Sequence, residues 1–399
     1  MALVLTKALS VILPTTEQTD FLRACLHPGA SGRQAWQRWQ EQVGGLETAL
    51  NTGTPGVKSL MPLLHVSGVV EDSTNRTYVR SAYLREKLRS TTYLGLCRKV
   101  LSTLASDNVP VLVLKGAALA ETIYEEPALR HCHDIDLLVG HDDMKRATSR
   151  LHSLGWTRPN TEIGIATDSL WFEHESGLPL ELHNRLFRIP YYCAPLDETW
   201  ARSQIQTIAD ISSRILSPPD NLLHVCGHAS CCKSRESLRW VSDGWFLIHR
   251  HPHLDWELLL DCALQSHLAL PLSVTLDYLA EKLRAPIPDI VLDRLRAAAR
   301  QTGPTGRAAA LLGAQTSSSG SFANIMRKMN GWHERVRILN WMLFPPPIYF
   351  RWLYGVRYTW QLPFFYLRRP FGYIARRISR LTKVVRSVRG VRAQSTFRG

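Results

Sequence analysis

Three things are missing from this chain of 399 residues: a CxxC pair among its eight cysteines, an apolar run of membrane-spanning length, and any acidic residue after Glu334. Scattered cysteines in a chain too large to need staples argue against a disulfide framework and fit a reducing cytosol. Without a long apolar run there is no spanning helix to expect. The opening Met1–Pro14 carries its only lysine inside a short apolar stretch and lacks the charged start and cleavage site of a secretory leader. No internal repeat is found. What is present, 45% hydrophobic and 21% charged residues, describes a globular chain and excludes a disordered or collagen-like one.

The third absence locates the charge. The 14 cations beyond Glu334 equal the whole net charge of +14, so residues 1–334 are formally neutral. A basic module has been joined to a neutral body.

Residues 1–107 show helical spacing, for example Phe21, Leu22, Cys25 and Leu26, and again from Tyr78 to Leu104. From Val109 the texture changes to a short β-branched run, Val-Pro-Val-Leu-Val-Leu, ending at Lys115-Gly116 and followed by a helix of small residues. Asp134–Val139 predicts a second strand, His141-Asp142-Asp143 opens a helix, and Leu170–Glu175 with Leu178–His183 predicts a hairpin about Ser176-Gly177. Helical periodicity returns after Pro218-Pro219 and runs to about Ala299. A Gly, Ser and Thr-rich passage, 302–321, reads as a linker. The expected organisation is α+β: helical residues 1–107, a small mixed-sheet core over 108–215, a helical region over 216–330, and an aromatic and basic tail over 331–399.

Alternate side chains of a strand share a face, so Asp134 and Asp136 point together while Ile135, Leu137 and Val139 belong to the buried set. Paired carboxylates repel unless a cation separates them, and hard Mg²⁺, which takes carboxylate oxygens and shares them with phosphates, is the natural one. Lys115-Gly116, at a strand end leading into a helix, has the make-up of a phosphate turn. Glu181 shares its face with His183 and would complete a three-acid cluster able to hold two metal ions, with Glu173 or Glu175 as alternatives. His224 and His228 stand four apart on one helix face without a second ligand pair, which favours packing over zinc. His131 and His133 read as loop residues, and Asp243 as half of a helix-surface ion pair.

Taken in order, Lys115-Gly116, Arg130, Asp134-x-Asp136 and Glu181 resemble the pattern of the DNA polymerase β-type nucleotidyltransferase superfamily. More narrowly, Leu114–Leu119, Arg130–Val139, Leu180–His183, Ser217–Asp220, Arg239–Asp243 and Tyr366–Pro370 resemble the bacterial family of uncharacterised nucleotidyltransferases, often found beside peptide natural-product genes such as those for lasso peptides. Two departures stand out. Where the superfamily's turn is Gly-Ser or Gly-Gly, Lys115-Gly116-Ala117 offers a lysine and no hydroxyl, a turn shared with the narrower family and with toxin-type members, and Glu181 stands where aspartate is usual.

The resemblance implies a nucleotidyltransferase core and transfer of a nucleoside monophosphate from an NTP to a peptide or small-molecule acceptor. It implies Mg²⁺ or Mn²⁺ on Asp134, Asp136 and Glu181, and Lys115, Gly116 and Arg130 on the nucleotide, with Arg130 either on the triphosphate or ordering the loop before Asp134. The alternatives are a silent scaffold of a biosynthetic complex and a toxin-type enzyme acting on RNA. In the tail, Ile374, Ile378, Leu381, Val385 and Val388 would form an apolar stripe among arginines. The tail's aromatics would pack on the body with a solvated basic end, or the stripe would meet an anionic partner, membrane surface or RNA, on a cytoplasmic or membrane-peripheral protein.

Overall fold

Thr15 opens the first helix with a reciprocal cap: its hydroxyl accepts from the Gln18 amide at 3.2 Å, and Gln18 Oε1 accepts from the Thr15 amide at 3.0 Å. The helix is α1 (Thr16–Leu26), followed by α2 (Ala30–Val43), α3 (Leu46–Asn51) and α4 (Val57–Val66). Asp72, accepting from the Asn75 amide, then starts α5 (Ser73–Ser106), 34 residues long. The structure, a computed structural model, describes residues 6–158 except 8, 169–231 except 188, 190 and 191, 238–303, and parts of 306–367. Most of the 302–321 passage and the stripe from Ile374 to Val388 lie outside the described residues.

The middle of the chain runs β1 (Val111–Leu114), α6 (Lys115–Thr122), β2 (Ile135–Val139), α7 (Met144–Ser153), β3 (Ser169–Phe172), β4 (Leu180–His183), α8 (Leu196–Arg202), β5 (Gln204–Ile208) and β6 (Ile211–Ile215). The six strands make one mixed sheet in the order β3-β4-β2-β1-β6-β5, parallel at β2–β4 and β1–β6 and antiparallel elsewhere. The predicted hairpin is β3–β4. The β5–β6 hairpin is an addition that the sequence pattern did not announce.

Register sorts the side chains between two faces. On one, Val113, Ile135, Leu137, Leu180 and Leu182 are buried against Tyr93, Cys97, Leu101 and Leu104 of α5 and Leu151 of α7. Each such aliphatic side chain contributes about 1.5–3 kcal/mol by leaving water. The opposite face bears a row of partners across four strands, Leu114, Asp136, Glu181 and Trp171. The acids therefore face away from the core.

Four more helices follow: α9 (Pro218–Ala229), α10 (Arg239–Arg250), α11 (Trp256–Gln265) and α12 (Ala269–Leu283), with α13 (Asp289–Arg300) after them. α9 starts where prolines suit it, at its first two positions behind the Ser217 cap. The chain divides into two compact units, residues 1–329 and 330–399, and the second contains α14 (Trp332–Leu343) and a 3₁₀ turn at Thr359–Gln361. No helix among the described residues is long and apolar enough to cross a membrane.

Candidate active site

Because β2 and β4 are parallel neighbours with Asp136 beside Glu181, two carboxylates from distant segments stand side by side. His183, two residues on, points to the same face, and its Nε2 lies 2.9 Å from Asp136 Oδ1 and 3.6 Å from Glu181 Oε2. One ligand atom from each of Asp136, Glu181 and His183 falls within 4.8 Å of the others. Glu181 also accepts a hydrogen bond from Ser169 Oγ on the edge strand. Glu173 and Glu175, the alternatives, are exposed and outside this cluster.

Asp134 lies just before β2 and is half-buried, with His133 Nδ1 3.2 Å from its Oδ1. Burial first and the neighbouring Asp136 next push its carboxyl up to about 7. Asp136 goes the other way: burial opposes its charge, but Lys115 and the His183 hydrogen bond overcome that and hold it well below the usual carboxylate range. The pair is thus divided, one acid firmly charged and the other holding a proton near neutrality.

Lys115 directly follows β1 and takes φ +40°, a left-handed conformation that costs a residue with a side chain about 1–3 kcal/mol. The turn swings its ammonium to the acid face, where Nζ is 3.4 Å from Asp136 Oδ1 and 3.0 Å from His228 Nε2 of α9. Burial, then the lysine charge, lowers His228 well below its ordinary range and His224 to about 3, so both rings are neutral at pH 7 and His228 accepts from the ammonium. His224 is buried against Phe187, while His228 reaches the Lys115 ammonium beside Asp136.

At Gly116 the missing side chain leaves room for a neighbour. A Cβ there would stand 2.6 Å from Tyr93 Oη and 3.3 Å from the Asp134 carbonyl oxygen. The space belongs to Tyr93, whose hydroxyl donates to that carbonyl at 3.1 Å and so ties α5 to the start of β2.

Arg130 does not reach the acid cluster. Its Nε and Nη2 each donate to Asp243, both at 2.8 Å, and Tyr124 Oη donates to the same carboxylate at 2.8 Å. All three residues are buried. Of the two roles open to Arg130, the geometry gives it the ordering of the loop before Asp134, and Asp243, expected on a helix surface, is an interior anchor. The arginine beside Asp134 is Arg239 instead, half-buried, with Nη1 on the His131 carbonyl at 3.1 Å and on His133 Nδ1 at 2.9 Å.

Two carboxylates and an imidazole on one face suit a divalent ion; Asp134, expected with them, stands at the strand's end outside that group of three. Oxygen donors alone satisfy Mg²⁺, and the imidazole adds a ligand that Mn²⁺ accepts more readily. A family model described as uncharacterised nucleotidyltransferase matches residues 64–284, more than half of the chain and the whole of this site. The chain belongs to that nucleotidyltransferase family. No curated protein matches its sequence. Among solved structures it is similar to the antibiotic-resistance factor ANT(2″)-Ia, at 15% identity and a TM-score of 0.29, over 53% of this chain and 93% of that one. A likeness of that size carries no argument.

For a nucleotidyltransferase-family chain, Tyr93 is the site's addition to the sequence reading. His183 had entered that reading only by sharing a strand face with Glu181, His228 as a packing residue and Arg239 within a family segment.

Proposed function

We propose that the protein transfers a nucleoside monophosphate from an NTP to a hydroxyl of a peptide or small molecule. What supports this is the row that sets Asp136 beside Glu181 with the Lys115 ammonium against it, in a chain of a nucleotidyltransferase family. Asp134, Asp136 and Glu181, with His183 beside them, would hold Mg²⁺ or Mn²⁺, which when bound supplies charge neutralisation for the triphosphate and acidifies the acceptor hydroxyl. Lys115 offsets the charge that develops on the leaving pyrophosphate. Glu181, at the open side of the row, takes the acceptor's proton as the new O–P bond forms at the α-phosphorus and the bond to pyrophosphate breaks. Trp171, partner of Glu181 across β3–β4 and about one-third exposed, offers an aromatic wall to such an acceptor.

The family resemblance makes natural-product biosynthesis the proposed setting, and the basic tail the proposed seat of an anionic partner. Removing residues 371–399 should weaken salt-sensitive binding to acidic vesicles or RNA and leave the acid cluster intact. For the reaction itself, wild type is compared with Asp134→Ala and Asp136→Ala using labelled NTPs, Mg²⁺ or Mn²⁺, and candidate acceptors. Pyrophosphate release should fall at least about a hundredfold in both variants. Equal release from all three proteins, or none from wild type with any acceptor, would return the chain to the scaffold reading, and transfer to RNA would make it toxin-type.

A further inference from the structure

Two arginines flank the aspartate strand, and among the described residues one of them has its charge answered by a carboxylate and the other does not. Arg130 is closed by Asp243 on its Nε–Nη2 edge. Arg239, the first residue of α10, uses Nη1 alone, on the His131 carbonyl and the His133 ring. Among the described residues, its Nε and Nη2 meet no hydrogen-bond partner and no carboxylate lies within ion-pair distance, 4.0 Å, of it. The first turn of α10 contains no acid either.

A guanidinium taken partly out of water without a counter-ion is costly, and a bound anion offsets that cost. Burial first and Arg130 next disfavour the charge on Arg239, and the group that most favours it is Asp134. The cation therefore stands in the field of the acid cluster, next to Asp134 through His133. Its two Nη1 bonds fix the plane of the group and leave the Nε–Nη2 edge open. That edge is the two-donor fork that matches two oxygens of a phosphate.

Resting on the nucleotidyltransferase reading, we infer that Arg239 receives the polyphosphate chain of the nucleotide, the role for which the sequence offered Arg130. The bidentate edge binds phosphate oxygens on the Asp134 side of the cluster, opposite the Lys115 ammonium on the Asp136 side. Nucleotide and inorganic tripolyphosphate share the chemistry that Arg239 reads, so the base is not required for this contact.

The test is calorimetric titration of the full chain with ATP and with inorganic tripolyphosphate, each with Mn²⁺, and with Mn²⁺ alone. Arg239→Gln should weaken both phosphate ligands at least about tenfold and flatten the salt dependence of their binding, leaving Mn²⁺ affinity and melting temperature unchanged. Arg239→Lys, which keeps the charge and loses the fork, should recover only part of the affinity. If wild type and Arg239→Gln bind both ligands equally, the inference is wrong and the transferase reading stands. Equal loss of Mn²⁺ and phosphate binding, or a large fall in melting temperature, makes Arg239 a structural residue and overturns the inference. If wild type binds neither phosphate ligand, the nucleotidyltransferase reading itself fails.

Discussion

Replacing Asp243 by alanine is the sharpest perturbation of the frame behind the site. It removes a carboxylate that accepts three hydrogen bonds of 2.8 Å, two from Arg130 and one from Tyr124. Arg130 would remain as a buried cation with no counter-charge, since its side chain is 7% exposed. Breaking a buried pair on one side costs about 3–5 kcal/mol, far more than the pair contributes relative to an apolar substitute. A unit of this size should then melt roughly 5–10 °C lower. Arg130→Met/Asp243→Leu, which removes both charges, should recover most of that loss, and the double-mutant cycle measured by thermal and urea melts isolates the coupling. A different result would refute the reasoning: an Asp243→Ala protein that melts within a degree of wild type but no longer binds nucleotide. Arg130 would then be a ligand-binding arginine after all, and the buried fork an incidental arrangement.

Three other outcomes follow from the geometry. Asp134 has its carboxyl raised from an ordinary 3.8 to about 7, so the folded chain holds that proton more tightly than the unfolded one; stability from this group falls as pH rises from about 4 through 7. Asp134→Asn should flatten that part of a melting-temperature profile, and a profile identical to wild type would show the shift to be absent. Gly116→Ala should destabilise by about 1–3 kcal/mol despite alanine's better helix propensity, because the Tyr93 hydroxyl occupies the place of the new methyl. In a Tyr93→Phe background the same change should be near neutral; an undiminished cost there would put the obstruction elsewhere. His183→Ala should lower Mn²⁺ affinity about 10–100-fold and Mg²⁺ affinity less, by competitive titration, whereas equal losses would mean that His183 only orients Asp136.

What the sequence made readable was local. Asp134-x-Asp136 and Leu-Glu-Leu-His are period-two patterns, and the structure puts Ile135, Leu137, Leu180 and Leu182 on the core face and Asp136, Glu181 and His183 on the other. Two short apolar runs and a Ser-Gly turn were enough to expect the β3–β4 hairpin. The β5–β6 hairpin was hidden because Gln204–Thr207 is exposed along its length, so burial imposes no alternation on it. Its turn, moreover, uses Ala209 and Asp210 at positive φ in place of the glycine that would advertise it. The two arginines could not be told apart for another reason. Arg130 finds Asp243 across 113 residues, as Lys115 finds His228 across 113, and no spacing rule reaches that far.

The sheet order sets a timetable for synthesis. When Glu181 leaves the ribosome all the acids of the row exist, but β1, which ends next to Lys115, still lacks its parallel neighbour β6, a pairing of Leu112 with Arg214. The lysine's companion on α9 comes later still, at residue 228. Parallel pairing between distant segments is slow because the intervening loop must close before any contact rewards it. For that interval the nascent chain has mutually repelling carboxylates and an unpaired strand edge, a hazard for mispairing that ends only once β6 has joined β1.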